Sequence, residues 1–262
     1  MIQLDTPTRN AFETSETSGP PKINSETSKM IEVAPVTSQI SPWLTPLAYS
    51  VLGGCVLPFY FAQIRVTGQE NLPTSGPVIL APTHRSRWDS LLLGYATGRW
   101  VTGRDLRFMV SVDETKGLQG WFVRRLGGFP VNTKRPSIST LRHGVDILVR
   151  GETLVIFPEG GDLCENRKFI VNRLQPGLAR LALQAESSQP HLGVKIVPIA
   201  INYSEPTVPW RCRVNIAIAS PLNVANYNTG AVKRDAKQLT QDLELAIAQL
   251  SMQTQDENQR NS

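Results

Sequence analysis

PVILAPTHRSRWDSLLLGYATG, residues 77–98, contains the change of pattern on which the fold turns. Its first eight residues form a short apolar run entered through Gly76 and Pro77, which reads as a buried strand. From Ser86 the pattern changes to a helical one: a serine able to cap is followed by Leu91, Leu92, Leu93 and Ala96, and the run closes at Gly98. Strand then helix recurs along the chain. LRFMVSV (106–112), GGFPVN (127–132), TLVIFPE (153–159), KIVPIAINY (195–203) and RVNIAIASPL (213–222) are further apolar runs bounded by Gly or Pro. Among them lie STLRHGVDILVRG (139–151), PGLARLALQAES (176–187) and the terminal GAVKRDAKQLTQDLELAIAQLSMQ (230–253), with apolar residues at helical spacing. This alternation predicts an α/β fold, a mainly parallel mixed sheet flanked by helices.

Upstream, WLTPLAYSVLGGCVLPFYFAQI (43–64) is the densest part of a charge-free stretch of 32 residues between Glu32 and Arg65. Its length approaches the ~20 residues of a membrane span, but Pro46, Gly53, Gly54 and Pro58 interrupt it. Trp43, Tyr49, Phe59, Tyr60 and Phe61 suit interfacial depth, so a half-inserted helix is favoured over a span or a helix packed on the domain. The first forty residues are rich in Ser, Thr, Pro and Glu without apolar periodicity, and cannot offset the entropy of ordering. Their five acids also speak against a signal or transit peptide. The expected division is a disordered tail over 1–41, a membrane-associated helical segment over 42–64, an α/β domain over 65–225, and a C-terminal helix and tail over 226–262.

The 262 residues suffice for one α/β domain with appendages. Three widely spaced cysteines exclude a disulfide scaffold, and three histidines without paired spacing make a transition-metal site improbable. Charge is unevenly spread: residues 85–150 carry twelve Lys/Arg against five Asp/Glu, while the rest has no positive excess. Such a local excess suits an anionic partner. Nucleic acid is disfavoured, because these cations are not interleaved with exposed aromatics.

Two words carry the chemistry. In THRSRWDS, His84 closes a strand and Asp89 follows five residues later, so a strand-to-helix turn can fold the carboxylate onto one ring nitrogen. In FPEGG, Glu159 ends another buried strand, and Gly160 and Gly161 leave backbone amides open to a ligand. Ligands of open α/β sheets sit at such strand ends. Lys134 and Arg135 follow a third strand and Arg124 and Arg125 precede it, offering cations to a phosphate. No GxSxG elbow presents a serine nucleophile, so a base here must activate a hydroxyl of the substrate.

The ordered combination resembles the glycerolipid acyltransferase family, which includes 1-acylglycerol-3-phosphate acyltransferase. The resemblance covers about residues 60–210. His84 and Asp89 match its HxxxxD block; Gly128 to Val131 with Lys134 or Arg135 resemble the second block; Phe157, Pro158, Glu159 and Gly160 match FPEG; Val197, Pro198 and Ile199 resemble the fourth. QPGLARLA (175–182) is similar to the helix that follows FPEG. Two departures touch phosphate recognition: Gly161 and Asp162 stand where the family commonly has Thr and Arg, and Thr133 stands where it has Arg. The resemblance implies acyl transfer from a thioester to lysophosphatidate, or to another lysophospholipid or glycerol acceptor. Lipid hydrolysis is the lesser alternative. It further implies His84 as base, Asp89 as its orienter, Glu159 and Gly160 on the glycerol, and Lys134, Arg135 and Arg125 toward the phosphate. No bound cofactor or metal is expected; the donor is acyl-CoA or acyl carrier protein, and the enzyme works on a lipid bilayer at its cytoplasmic face.

Overall fold

A computed structural model describes residues 38–132, 136–160, 163–166 and 172–260. The chain enters through α1 (Leu44–Val51), a π-helical turn (Leu52–Val56) and α2 (Leu57–Tyr60), which follow one another without a break. The wide turn has a cause: Pro58 lacks an N–H, and its ring would press on the carbonyl four residues back, so the helix widens just ahead of it. Strands β1 (Gln63–Thr67) and β2 (Val78–Pro82) follow, then α3 (Asp89–Thr97), α4 (Arg99–Thr102), β3 (Leu106–Ser111), α5 (Gly117–Arg125) and β4 (Gly128–Val131). The remainder is α6 (Ile138–Val149), β5 (Thr153–Val155), α7 (Leu163–Asn166), α8 (Gly177–Ser188), β6 (Lys195–Tyr203), β7 (Arg213–Ile218), β8 (Leu222–Asn223) and α9 (Val232–Arg260).

Among the described residues these strands form one sheet in the order β1-β7-β6-β2-β5-β3-β4, with β8 pairing β6. β6, β2, β5, β3 and β4 run parallel, whereas β7 and β8 pair antiparallel to β6 and β1 runs with β7. The sheet is therefore mixed and mainly parallel, flanked by helices as the alternation predicts. Successive residues of β2 show both coats: Ile79 and Ala81 join a core with α6, α8 and α9, while Val78 and Leu80 join one with α2 and α3. All four are at most 2% exposed, which is why this strand reads as a continuous apolar run.

Several boundaries differ from the sequence expectation. Ser86 does not cap α3; the helix begins at Asp89 without a side-chain cap. Asp89 turns its carboxylate back onto the loop, as the strand-to-helix turn was expected to allow. The run 213–222 is two strands, separated around Ser220 and Pro221. The segment expected at 42–64 is helical only to Tyr60, and Gln63 and Ile64 belong to β1. Its inner side is tied to the domain: Leu57 and Phe61 are buried in the core, each worth about 1.5–3 kcal/mol. Trp43, Leu47, Val51 and Phe59 remain exposed. Among the described residues no helix is long and apolar enough to cross a membrane. Of the expected tail, residues 1–37 lie outside the described residues. Ser38–Ser41 are held, since Gln39 and Ser41 N–H groups bond the carbonyls of Arg124 and Arg125, and Ile40 bridges Leu126.

Candidate active site

Strand register assembles the site. β2 and β5 pair in parallel with Leu80 opposite Val155, so His84 and Glu159, each four residues further on, leave the sheet at the same level. β6 flanks β2 on its other side with Leu80 opposite Val197, and its last residue, Tyr203, arrives at the same edge. These are carboxyl ends of neighbouring parallel strands, the place where open α/β sheets hold ligands.

There the loop 83–88 wraps around one carboxylate. Asp89 is fully buried, and its Oδ2 lies 3.0 Å from His84 Nδ1. The same oxygen accepts the Arg85 N–H at 2.6 Å and the Ser86 N–H at 2.7 Å, and Oδ1 accepts the Tyr203 hydroxyl at 2.6 Å. A buried carboxylate tolerates its charge only with such partners. Burial, and then the charge of Asp89, push the Tyr203 hydroxyl far above its usual pKa, so it remains a donor to Asp89. His84 is bracketed from the other side by Phe157, whose ring stacks on the imidazole with centroids 4.0 Å apart.

Glu159 is tied to the same loop. Its Oε2 accepts the His84 backbone N–H at 3.3 Å and pairs with Arg85 Nη1, an ion pair whose side chains are almost buried. Removing one partner of such a pair costs about 3–5 kcal/mol, because the other charge is left uncompensated. Glu159 Oε1 is buried without a hydrogen-bond partner. With a carboxylate on Nδ1, the imidazole presents Nε2 as its free basic nitrogen, and a quarter of the side chain is exposed. Ser86 is buried, and its Oγ accepts the Trp88 N–H at 3.4 Å, so it is not displayed as a nucleophile. The arrangement can take a proton from an incoming hydroxyl.

The structure thus brings together His84, Asp89 and Glu159, with Gly160 next to them in left-handed conformation (φ 61°), which glycine adopts without strain. Arg125 is not brought there: it ends α5 ahead of the first residue of β4, and its guanidinium lies over the Trp121 ring at 5.0 Å. Lys134 and Arg135, and the departures at Thr133, Gly161 and Asp162, lie outside the described residues. Two participants were not singled out from sequence, Arg85 and Tyr203. Arg85 stood inside the THRSRWD word, beside the histidine; the role of Tyr203 depends on β2–β6 register.

Beside the site is an apolar cavity of about 690 Å³ under α1. Ser90 and Leu91, which follow Asp89, line one wall; Ala48, Leu52, Tyr95 and Phe108 line others.

A mainly parallel sheet with a buried aspartate bonded to a strand-end histidine defines an α/β protein with a site able to accept a proton. A family model described as Acyltransferase matches residues 63–202, more than half of the chain and every residue of this cluster but Tyr203, and the chain belongs to that family. A 1-acyl-sn-glycerol-3-phosphate acyltransferase of Streptococcus pneumoniae is 25% identical over 154 residues, 56% of this chain and 51% of that protein. One of Bacillus subtilis is 28% identical over 133 residues, 48% of this chain and 64% of that protein. The chain thus spans between half and two thirds of the length of these relatives. The crystal structure of the 1-acyl-sn-glycerophosphate (LPA) acyltransferase from Thermotoga maritima has the same fold, with a TM-score of 0.54 and 19% identity over 75% of this chain and 79% of that one.

Proposed function

We propose that this protein transfers a fatty acyl group from a thioester to the free hydroxyl of lysophosphatidate, giving phosphatidate for phospholipid synthesis. The observation that carries the proposal is the His84–Asp89 pair, with Nδ1 held by a buried carboxylate and Nε2 left free. Nε2 takes the proton of the acceptor hydroxyl as its oxygen attacks the thioester carbonyl. Asp89 stabilises the imidazolium that forms, and the tetrahedral intermediate then expels the thiolate, which recovers the proton. Such general-base help is worth about 100- to 10,000-fold in rate.

Glu159, joined to the loop through Arg85, positions the glycerol part of the acceptor together with Gly160. Lys134 and Arg135 follow Val131, which ends β4 on the same sheet edge, and are the cations offered to the phosphate. The cavity beneath α1 receives an acyl chain; its volume falls within the range of about 300–1,000 Å³ usual for small-molecule sites. Acyl-CoA or acyl carrier protein serves as co-substrate, and no bound cofactor or metal enters the reaction. The acceptor and product are membrane lipids, so the enzyme works at a bilayer surface, on its cytoplasmic face, where the exposed Trp43, Leu47 and Phe59 meet lipid.

The test offers a labelled acyl thioester to the purified protein with lysophosphatidate, glycerol 3-phosphate and a lysophospholipid of larger headgroup in parallel. Transfer to lysophosphatidate is expected, with loss of about 100-fold or more in His84→Ala. Transfer only to another acceptor would mean that Thr133, Gly161 and Asp162 mark a different specificity. Release of free fatty acid alone would make the protein a hydrolase, and an active His84→Ala would remove the general base.

A further inference from the structure

Helix α5 has an outer face that nothing in the described structure covers. Leu118, Trp121, Phe122 and Arg125 fall at positions i, i+3, i+4 and i+7, one stripe of the helix. The first three are 76%, 42% and 42% exposed. The opposite face is clamped: a Cβ on Gly120 would stand 2.0 Å from the Thr115 carbonyl oxygen, and one on Gly128 would meet Val123. Gly120 and Val123 thus form the inner side of the helix, and its bulkier residues stand outward.

The chemistry of that stripe selects its partner. Trp121 and Phe122 meet edge to face at 4.9 Å, and the Arg125 guanidinium covers the indole at 5.0 Å. GLQGWFVRR contains no acid; Lys116 just before it is paired with Asp113 at 2.8 Å, which leaves Arg124 and Arg125 as the cations of the helix. Exposed aromatics beside Arg, which the sequence reading of 85–150 did not expect, suit the boundary of an anionic bilayer, where rings enter the headgroup layer and cations meet lipid phosphates. Its position fits as well. The turn before α5 carries Glu114, 3.2 Å from Arg87 of the loop that holds His84. At the other end the Arg125 carbonyl accepts the Ser41 N–H, two residues before the exposed Trp43.

We propose that α5 is a membrane-docking helix, distinct from the N-terminal helical segment: Leu118, Trp121 and Phe122 seat in the headgroup layer of an anionic bilayer and place the His84 loop beside the leaflet. The role assigned to that placement rests on the reading that the acceptor is a bilayer lipid. Sedimentation of the full chain with phosphatidylcholine vesicles, with and without phosphatidylglycerol, tests it. The Leu118→Ser/Trp121→Ser/Phe122→Ser variant is expected to bind the anionic vesicles at least about tenfold more weakly, while acyl transfer to lysophosphatidate dispersed in detergent micelles is unchanged. Undiminished vesicle binding by this variant would overturn the proposal. If it does not fold, Arg125→Glu, on the same stripe, replaces it: loss of the preference for anionic vesicles supports docking by α5, and an intact preference overturns it. A native protein that binds anionic vesicles through α5 yet acylates no acceptor would sink the acyltransferase reading and leave the docking surface standing.

Discussion

Asp89 accepts from both sides of its loop, and its two oxygens are not equivalent. Oδ2 meets His84 and two backbone N–H groups, whereas Oδ1 relies on the Tyr203 hydroxyl. Asp89→Asn replaces an anion with a neutral amide that cannot stabilise an imidazolium or accept from all these donors. Acyl transfer is expected to fall about 100-fold or more with the fold retained, measured by initial rates beside circular dichroism. Tyr203→Phe leaves Oδ1 buried and unpaired. It should lower stability by about 1–3 kcal/mol in urea unfolding and reduce transfer less than Asp89→Asn, because the His84 contact remains. His84, Asp89 and Glu159 were legible in the sequence because each sits beside a strand end in a distinctive word. The part played by Tyr203 was not, since nothing local to NYSEP tells which strand lies next to β6.

At the scale of elements, legibility followed burial. β2 and β6 are covered on both faces, so VILAP and KIVPIAINY read as uninterrupted apolar runs. Edge strand β1, QIRVT, alternates exposed and half-buried positions and carries no such run. Helix α5 was missed for the opposite reason. Its inner side is made by Gly120 and Val123, and its largest apolar residues face outward, which inverts the usual amphipathic pattern. In α6 the cap lies two residues ahead of the run read from sequence: Ser137 Oγ accepts the Thr140 N–H at 3.1 Å. Ser137→Ala should cost about 1 kcal/mol, read as a lower urea midpoint with unchanged slope. Ile138, the first residue of that helix, is 77% exposed, while Gly144, Val145, Ile147 and Leu148 lie on its packed face.

Across the whole molecule, one contact joins the incoming segment to the far edge of the domain. Ser38 Oγ lies 3.1 Å from His143 Nε2, the Ser38 carbonyl accepts from Arg107, and the imidazole meets Phe129 edge-on. Burial, followed by the charge of Arg150, lowers the His143 pKa below its usual value. The folded chain then binds fewer protons than the unfolded one as pH drops through about 6.5, so acidification removes stability. Between about pH 7.5 and about pH 5.5 the native melting temperature is expected to fall further than that of His143→Gln, and equal slopes in a scanning calorimeter would refute this linkage.

The parallel pairing of β2 with β5 reaches beyond this chain. His84 and Glu159 meet because each stands four positions past a paired residue, not because 75 residues separate them in sequence. The intervening chain, with α3 through α6, can lengthen or shorten outside the strands without moving one partner relative to the other. A single residue inserted within β2 or β5 would instead turn one of them to the other side of the sheet. What holds the two motifs together is thus the phase of each against its own strand, a property of the sheet that chain distance does not measure.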